Sequence, residues 1–185
     1  MKNLMAVATL AFSAAVLADE APAPTLAEGM QAPDWTLPGS DGNTYALADL
    51  LKEGPVVLAW FPKAFTPGCT AQCKSLAQNG DMIREYKVSY FMASVDPIGD
   101  NTEFASKYDA DFPILSDESK EVANAYQVIG QYGVPRRETF YIGTDGVILA
   151  VDREVDARGA AEETAAMLAS LGVEKRGSPA SSAGR

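Results

Sequence analysis

The chain of 185 residues contains no histidine. That absence removes a block of chemistry, because Cys–His and Ser–His–Asp hydrolysis both need an imidazole base. It also removes every metal site built on imidazole. Cysteine is nearly absent too, with two residues, Cys69 and Cys73. Two thiolates cannot complete a tetrahedral zinc site by themselves. Positive charge is sparse: 15 Lys and Arg stand against 25 Asp and Glu, for a net charge of −10. Such a surface repels phosphate backbones and anionic lipid, which argues against nucleic-acid and membrane-surface partners.

Long hydrophobic runs are missing after the N-terminus, where "MKNLMAVATLAFSAAVLADEAPAP" opens the chain. Lys2 gives a positive start, Leu4 to Leu17 is apolar, and Val16 and Ala18 suit cleavage after Ala18. This reads as a secretory signal peptide over residues 1–18, too short for a mature anchor, and places the protein in the periplasm or outside the cell. Residues 19–30 read as a flexible Ala/Pro leader and residues 174–185 as a disordered tail, leaving one domain over 31–173. An exported setting favours disulfides, yet a bridge between Cys69 and Cys73 closes almost no loop. A structural role is therefore weak, and a reactive role gains weight.

The rest of the pattern is alternating. "DWTLPGSDGNTYALADLL" reads as a hairpin around Gly39–Asn43, and "PVVLAWF" as a strand buried on both faces. A helix starts at Thr66, and "VSYFMASV" is a second central strand. "DNTEFASKYDA" is helical with Asn101 or Thr102 near its cap, "FPIL" is extended, and "DESKEVANAYQV" is helical. "TFYIG" and "VILAV" flank a turn at Thr144-Asp145-Gly146. The last helix, "GAAEETAAMLASLG", has an apolar face of Ala161, Ala165, Leu168 and Leu171, with Gly172 at its C-terminal end. The order predicts an α/β thioredoxin-like fold: a mixed central sheet with helices on both faces and an N-terminal hairpin.

The chemistry lies in "WFPKAFTPGCTAQCKSL", Trp60 to Leu76. Thr66 suits an N-cap, Pro67 the first helical position, and Gly68 a close approach to the backbone. Cys69 then falls in the first turn, among open N–H groups at the positive end of the dipole, a setting that favours a thiolate.

"FPKAFTPGCT" resembles the active-site loop of the peroxiredoxins (AhpC/TSA family), whose pattern is Pro, three residues, Thr or Ser, two residues, Cys. It looks most like the bacterioferritin-comigratory, or peroxiredoxin Q, branch. "SVDPIGDNTEFASKY", "FPILSDESKEVANAYQV" and "RRETFYIGTDGVI" resemble further segments of that family in matching order. The resemblance implies a thiol-dependent peroxidase in which Cys69 attacks the O–O bond of hydrogen peroxide or an organic hydroperoxide and becomes a sulfenic acid. It implies that Thr66 hydrogen-bonds the thiolate and the peroxide, that Pro62 shields the site, and that Arg137, three residues before Phe140, favours the thiolate. Adjacent Arg136 points the other way on an extended segment and reads as a solvated charge.

Cys73 is proposed as the resolving thiol on the same resemblance. The related branch places that cysteine five positions after the first, a slot held here by Lys74. Positions four apart on a helix have Cβ atoms about 5–6 Å apart, and a disulfide needs about 3.5–4.5 Å, so the first turn must unwind. The alternative is reduction of the sulfenic acid by an external thiol, from a thioredoxin-like protein or a small molecule. No cofactor is implied, and the branch suggests a monomer or weak dimer. The rival reading is an exported thioredoxin-like thiol–disulfide oxidoreductase, which spaces its thiols by two residues. A copper-delivery protein of this fold shares the three-residue gap but needs a distant histidine. A non-catalytic redoxin is the third rival.

Overall fold

The computed structural model describes residues 25–177. The proposed signal peptide lies outside the described residues. A short antiparallel pair comes first, β1 (Thr36–Pro38) and β2 (Thr44–Ala46), followed by the single turn α1 (Leu47–Leu50). The core alternates β3 (Val56–Trp60), α2 (Pro67–Asn79), the single turn α3 (Asp81–Arg84), β4 (Ser89–Ser94), α4 (Ile98–Lys107) and β5 (Ile114–Ser116). It closes with α5 (Glu121–Ala125), β6 (Glu138–Ile142), β7 (Ile148–Asp152) and α6 (Ala160–Ser170).

The five-stranded sheet has the order β5-β4-β3-β6-β7. β3 pairs parallel with β4 and antiparallel with β6, so it sits at the centre. Every β3 residue is buried, as its unbroken apolar run predicts. Alternate side chains separate the two cores. Val57, Ala59 and Phe61 join the cluster that holds residues of α2, α4 and α6, while Val56, Leu58 and Trp60 join the cluster under α5 and the hairpin. This is the expected mixed sheet with helices on both faces, and it places the C-terminal end of β3 and the start of α2 at one edge of the first core.

Four expectations need correction. The leader is not wholly loose: Leu26 is buried, the Gly29 N–H donates to the Ile148 carbonyl at 2.9 Å, and the Ile148 N–H donates to Met30 at 2.8 Å. The start of the expected tail is likewise paired, since the Lys87 N–H donates to the Glu174 carbonyl and the Arg176 N–H to Glu85; residues 178–185 lie outside the described residues. Backbone pairing to a distant segment carries no compositional signature, which is why Ala/Pro and Gly/Ser content did not mark residues 26–30 and 174–176 as ordered.

The third correction concerns α4, which starts after Pro97 rather than at Asn101 or Thr102. Asn101 is fully buried inside the helix, and its Nδ2 donates to Ser94 Oγ and to the Leu115 carbonyl, both at 3.1 Å. A polar residue good for capping here ties a helix to two strands instead. The fourth is α5, which is short because Lys120 (φ 63°) and Gln127 (φ 57°) are left-handed at its two ends. The hairpin between β6 and β7 is as read, with Gly146 at φ 80° and Asp145 Oδ1 accepting the Val147 N–H at 3.0 Å.

Candidate active site

The site is built where β3 runs out. Phe61 continues the strand by donating to the Ala93 carbonyl, and the chain then loops through 62–66 before α2 begins. A carboxylate anchors that loop. Asp96, just past β4, is 4% exposed; its Oδ2 accepts the Ala64 N–H at 2.8 Å and its Oδ1 receives Lys63 Nζ at 3.2 Å. Asp96 is itself held, its N–H donating to Ser94 Oγ and its carbonyl accepting from Ser116 Oγ. Phe65 adopts φ 64°, a conformation costing an L-residue about 1–2 kcal/mol. Its ring rests edge-on against Phe104 at 5.2 Å, beneath the Lys107 ammonium at 5.3 Å. Packing on α4 and the Asp96 anchor together hold this strained turn.

Thr66 and Pro67 sit at the cap and first positions of α2, as the sequence predicts. The Thr66 side chain, however, caps no helix N–H. Its hydroxyl donates back to the Lys63 carbonyl at 2.9 Å. A hydroxyl has one proton, so donation to a thiolate requires this hydroxyl to turn. Gly68 has a sharper role than close approach in general: a Cβ there would lie 3.1 Å from Arg137 Nη2.

Cys69 follows in the first turn, 1% exposed, with Arg137 Nη2 at 3.4 Å from Sγ. The other terminal nitrogen of Arg137 donates to Gln72 Oε1. Cys69 and Cys73 are both free thiols. Cys73 is fully buried in the α2/α4/α6 core, and burial pushes its pKa up to about 12. Pro62 is half-buried, and with Ile129, Tyr132, Val134 and Pro135 it borders an open cavity of about 530 Å³ beside the loop.

The structure thus brings Cys69, Arg137 and Gly68 together, with Thr66 and Pro62 on the loop that leads in. Cys73 lies one helical turn along, on the inner face. Arg136 departs from its reading as a solvated charge: its Nε pairs with buried Glu138 at 2.6 Å, and its terminal nitrogens reach the Gln127 and Ile129 carbonyls. Sequence reasoning missed Gln72 and Asp96. Both lie within quoted motifs, and Gln72 stands three positions after Cys69 on the same helix face.

A thioredoxin-like sheet carrying a buried thiol at a helix N-terminus, with an arginine on the sulfur, defines the thiol peroxidase class. Comparison with known proteins agrees. The AhpC/TSA family matches residues 29–151. Peroxiredoxin Bcp of Escherichia coli is 36% identical over 131 residues, covering 66% of this chain and 83% of that protein. The crystal structure of peroxidoxin BcpB from Mycobacterium tuberculosis superposes with a TM-score of 0.71 at 33% identity, covering 78% of this chain and 97% of that one. A mutant of Xylella fastidiosa PrxQ shares the fold with a TM-score of 0.73 at 24% identity, covering 80% and 98% of the two chains. The chain belongs to the AhpC/TSA family and is a peroxiredoxin of the Bcp/PrxQ type, a thiol peroxidase whose substrate is a hydroperoxide and whose reductant is a thiol.

Proposed function

We propose that Cys69 is the peroxidatic nucleophile, and the observation that carries this is Arg137 Nη2 at 3.4 Å from its sulfur in the first turn of α2. The thiolate attacks one peroxide oxygen, the O–O bond breaks, and the second oxygen leaves with a proton as water or an alcohol. Cys69 is left as a sulfenic acid. Arg137 meets negative charge on sulfur before the reaction and on the departing oxygen during it. Pro62 and the anchored loop limit water at the sulfur, and Thr66 turns its hydroxyl toward the incoming peroxide.

Two routes close the cycle. In one, Cys73 attacks the sulfenic sulfur, releasing water and forming a disulfide, once the first turn of α2 has unwound. Losing helix-end hydrogen bonds costs about 0.5–1.5 kcal/mol each, within reach of a frayed terminus. In the other, an external thiol attacks directly. Cys73 burial and its high pKa favour this second route while the helix is closed, because the neutral thiol is a poor nucleophile. Ser75 also pins α2 by accepting the Ala161 N–H at 3.1 Å. On these grounds the external thiol is the faster partner, and Cys73 acts from an opened helix. The protein acts in an exported, antioxidant role, a reading supported by Lys2, the apolar run Leu4 to Leu17, and Ala18.

Peroxide consumption by the mature protein with a dithiol reductant, alongside Cys69→Ser, tests the central claim. Equal rates in the two proteins would overturn it. Intact mass after one equivalent of peroxide separates the routes: a persistent gain of one oxygen supports external reduction, and loss of two hydrogens supports the Cys73 disulfide. N-terminal sequencing of exported protein tests cleavage after Ala18.

A further inference from the structure

This acidic chain pairs most of its few lysines with acids. Among the described residues, Lys52, Lys63, Lys87 and Lys175 each meet a carboxylate, at 2.6, 3.2, 2.9 and 2.8 Å, and Lys120 donates to the Gly133 carbonyl. Lys74 and Lys107 meet aromatic rings instead. Lys74 Nζ lies 5.2 Å from the centre of the Tyr108 ring, and Lys107 Nζ lies 5.3 Å from that of Phe65 and 5.9 Å from that of Tyr108. Glu103 stands four positions before Lys107 on α4, in the order that suits an ion pair, yet the ammonium lies over the rings.

These two uncompensated cations share one place. Phe65 belongs to the loop that delivers Cys69, Lys74 follows Cys69 by five positions on α2, and Lys107 and Tyr108 end α4. Phe65 is 38% exposed in its left-handed turn, and both lysines are exposed. Pro67 and Gly68, between Phe65 and Cys69, are exposed as well. The approach to the site thus carries an aromatic ring flanked by two ammoniums, on a chain of net charge −10. A ring attracts a cation to its face but leaves the charge uncancelled. None of Phe65, Lys74, Lys107 and Tyr108 lines the cavity of about 440 Å³ against α4 or the one of about 530 Å³ beside Pro62. Small ligands bind in concavities, whereas an exposed aromatic with a charged rim is the pattern of a protein contact.

We propose that Phe65, Lys74 and Lys107 form the docking surface for the thiol reductant, and that this reductant is a dithiol protein with an acidic face beside its reactive thiol. This rests on Cys69 being the peroxidatic thiol. Two ammoniums without acids of their own select carboxylates on the partner, and Phe65 supplies the apolar contact between them. Docking there sets the partner's thiolate against the oxidised Cys69. That thiolate attacks the sulfenic sulfur, a disulfide forms between the two proteins, and the hydroxyl leaves with a proton as water. The partner's second thiol then attacks its own bridged sulfur, so Cys69 returns as a thiol and the partner leaves oxidised to a disulfide.

The test reads approach to Cys69 with mixed-disulfide probes. Three peptides of equal length each carry one cysteine capped with 2-thiopyridine and flanked by four glutamates, four lysines or four serines. Attack by Cys69 releases 2-thiopyridone, whose absorbance gives the rate on the full chain, with Cys69→Ser as background. Net charge alone would favour the basic peptide. The acidic peptide is expected to react about 5- to 20-fold faster than the serine peptide at low salt, and the gain to collapse near 1 M salt, where the screening length is about 3 Å. Lys74→Gln/Lys107→Gln is expected to remove the gain and keep the serine-peptide rate. Lys74→Arg/Lys107→Arg should retain the gain, and Lys74→Glu/Lys107→Glu should transfer it to the basic peptide. An acidic peptide no faster than the serine peptide would overturn the proposal. A gain that survives Lys74→Gln/Lys107→Gln would also overturn it and assign the attraction to Arg137. The 2-thiopyridine disulfide of mercaptosuccinate, a small dianion, is expected to gain less than about twofold over an uncharged analogue. A gain equal to that of the acidic peptide would overturn the protein partner in favour of a small anionic thiol. Intact mass after one equivalent of peroxide is read on the same samples. A Cys69 that takes up no oxygen overturns the peroxidase reading, whereas probe rates blind to charge overturn the docking surface alone.

Discussion

Cys69 and Cys73 stand one helical turn apart on the same face of α2, and they are 1% and 0% exposed. By accessible area they are the same residue, and both belong to one apolar cluster, yet what meets the two sulfurs differs. Cys69 lies in the first turn, where helix N–H groups are open, with Arg137 on its sulfur. Cys73 lies a turn deeper in an apolar cluster with Leu76, Ile83 and Phe104, where its pKa rises to about 12. On the proposed mechanism, position along the helix and the charge at the sulfur set the two thiols apart; exposure does not.

The sharpest way to break this comparison is to remove each sulfur in turn. Cys69→Ser should lower the peroxide rate constant by about three orders of magnitude or more, as loss of a nucleophile does. Cys73→Ala should stay within about threefold in that step, because on the proposed mechanism Cys73 acts only after the peroxide has reacted. Single-turnover kinetics with one equivalent of peroxide reads the step without the reductant. Comparable losses in the two variants would mean that Cys73 takes part in peroxide attack itself.

The two arginines give the next largest contrast. Arg137→Met should cost about 10²- to 10³-fold in the peroxide step, the usual loss for one preorganised charge. Arg136→Met should leave that rate nearly intact and lower stability by about 1–2 kcal/mol, since among the described residues buried Glu138 then keeps Arg153 alone, at 3.4 Å. Urea unfolding beside the kinetic assay separates the effects. A rate loss in Arg136→Met as large as that in Arg137→Met would show that both charges reach the sulfur.

These contrasts also mark how far the sequence carries. The alternation of apolar runs with helical patterns specified the sheet and its two faces, because burial on both sides leaves an unbroken apolar strand such as Val56–Trp60. "TPGC" specified the thiol at the helix start, since Thr, Pro and Gly act locally there. What stayed hidden depends on contacts between distant segments. Asp96 reads as an ordinary acid until the fold sets its carboxylate on the Ala64 N–H, 32 positions away in sequence. Gln72 carries no distinguishing signal until Arg137, just ahead of β6, meets it. Asn101 reads as a cap and is an internal tie. In each case a polar side chain has the same local signature whether it meets water or a remote partner.

Asp96 sharpens the comparison further, because it supports the loop that leads to Cys69 and nothing around Cys73. Asp96→Ala leaves the Ala64 N–H without its acceptor and frees Lys63, a loss of about 1–3 kcal/mol in stability. A smaller, roughly tenfold, fall in peroxide rate should accompany it, because the strained Phe65 turn loses one of its two supports. Asp96→Asn keeps an acceptor oxygen for the N–H and should recover most of the rate. A fully active Asp96→Ala would place the loop's support in the Phe65–Phe104 packing alone.

The mildest effect concerns proton release from buried groups. Burial raises Cys73 from 9.0 and Tyr141 from 10.0, each to about 12, and moves Tyr90 and Tyr126 in the same direction. Below pH 9 the folded and unfolded chains both hold these protons, and the stabilisation is complete. As pH rises further, the unfolded chain releases them first, so stability falls through the window up to about pH 12. Each such group steepens the decline by at most about 1.4 kcal/mol per pH unit. Cys73→Ala should therefore lower stability at neutral pH, through the cavity it leaves, and flatten the alkaline slope. The two changes have separate origins, so urea midpoints measured across the alkaline range distinguish packing from titration. An unchanged slope in Cys73→Ala would mean that its thiol ionises as easily as an exposed one.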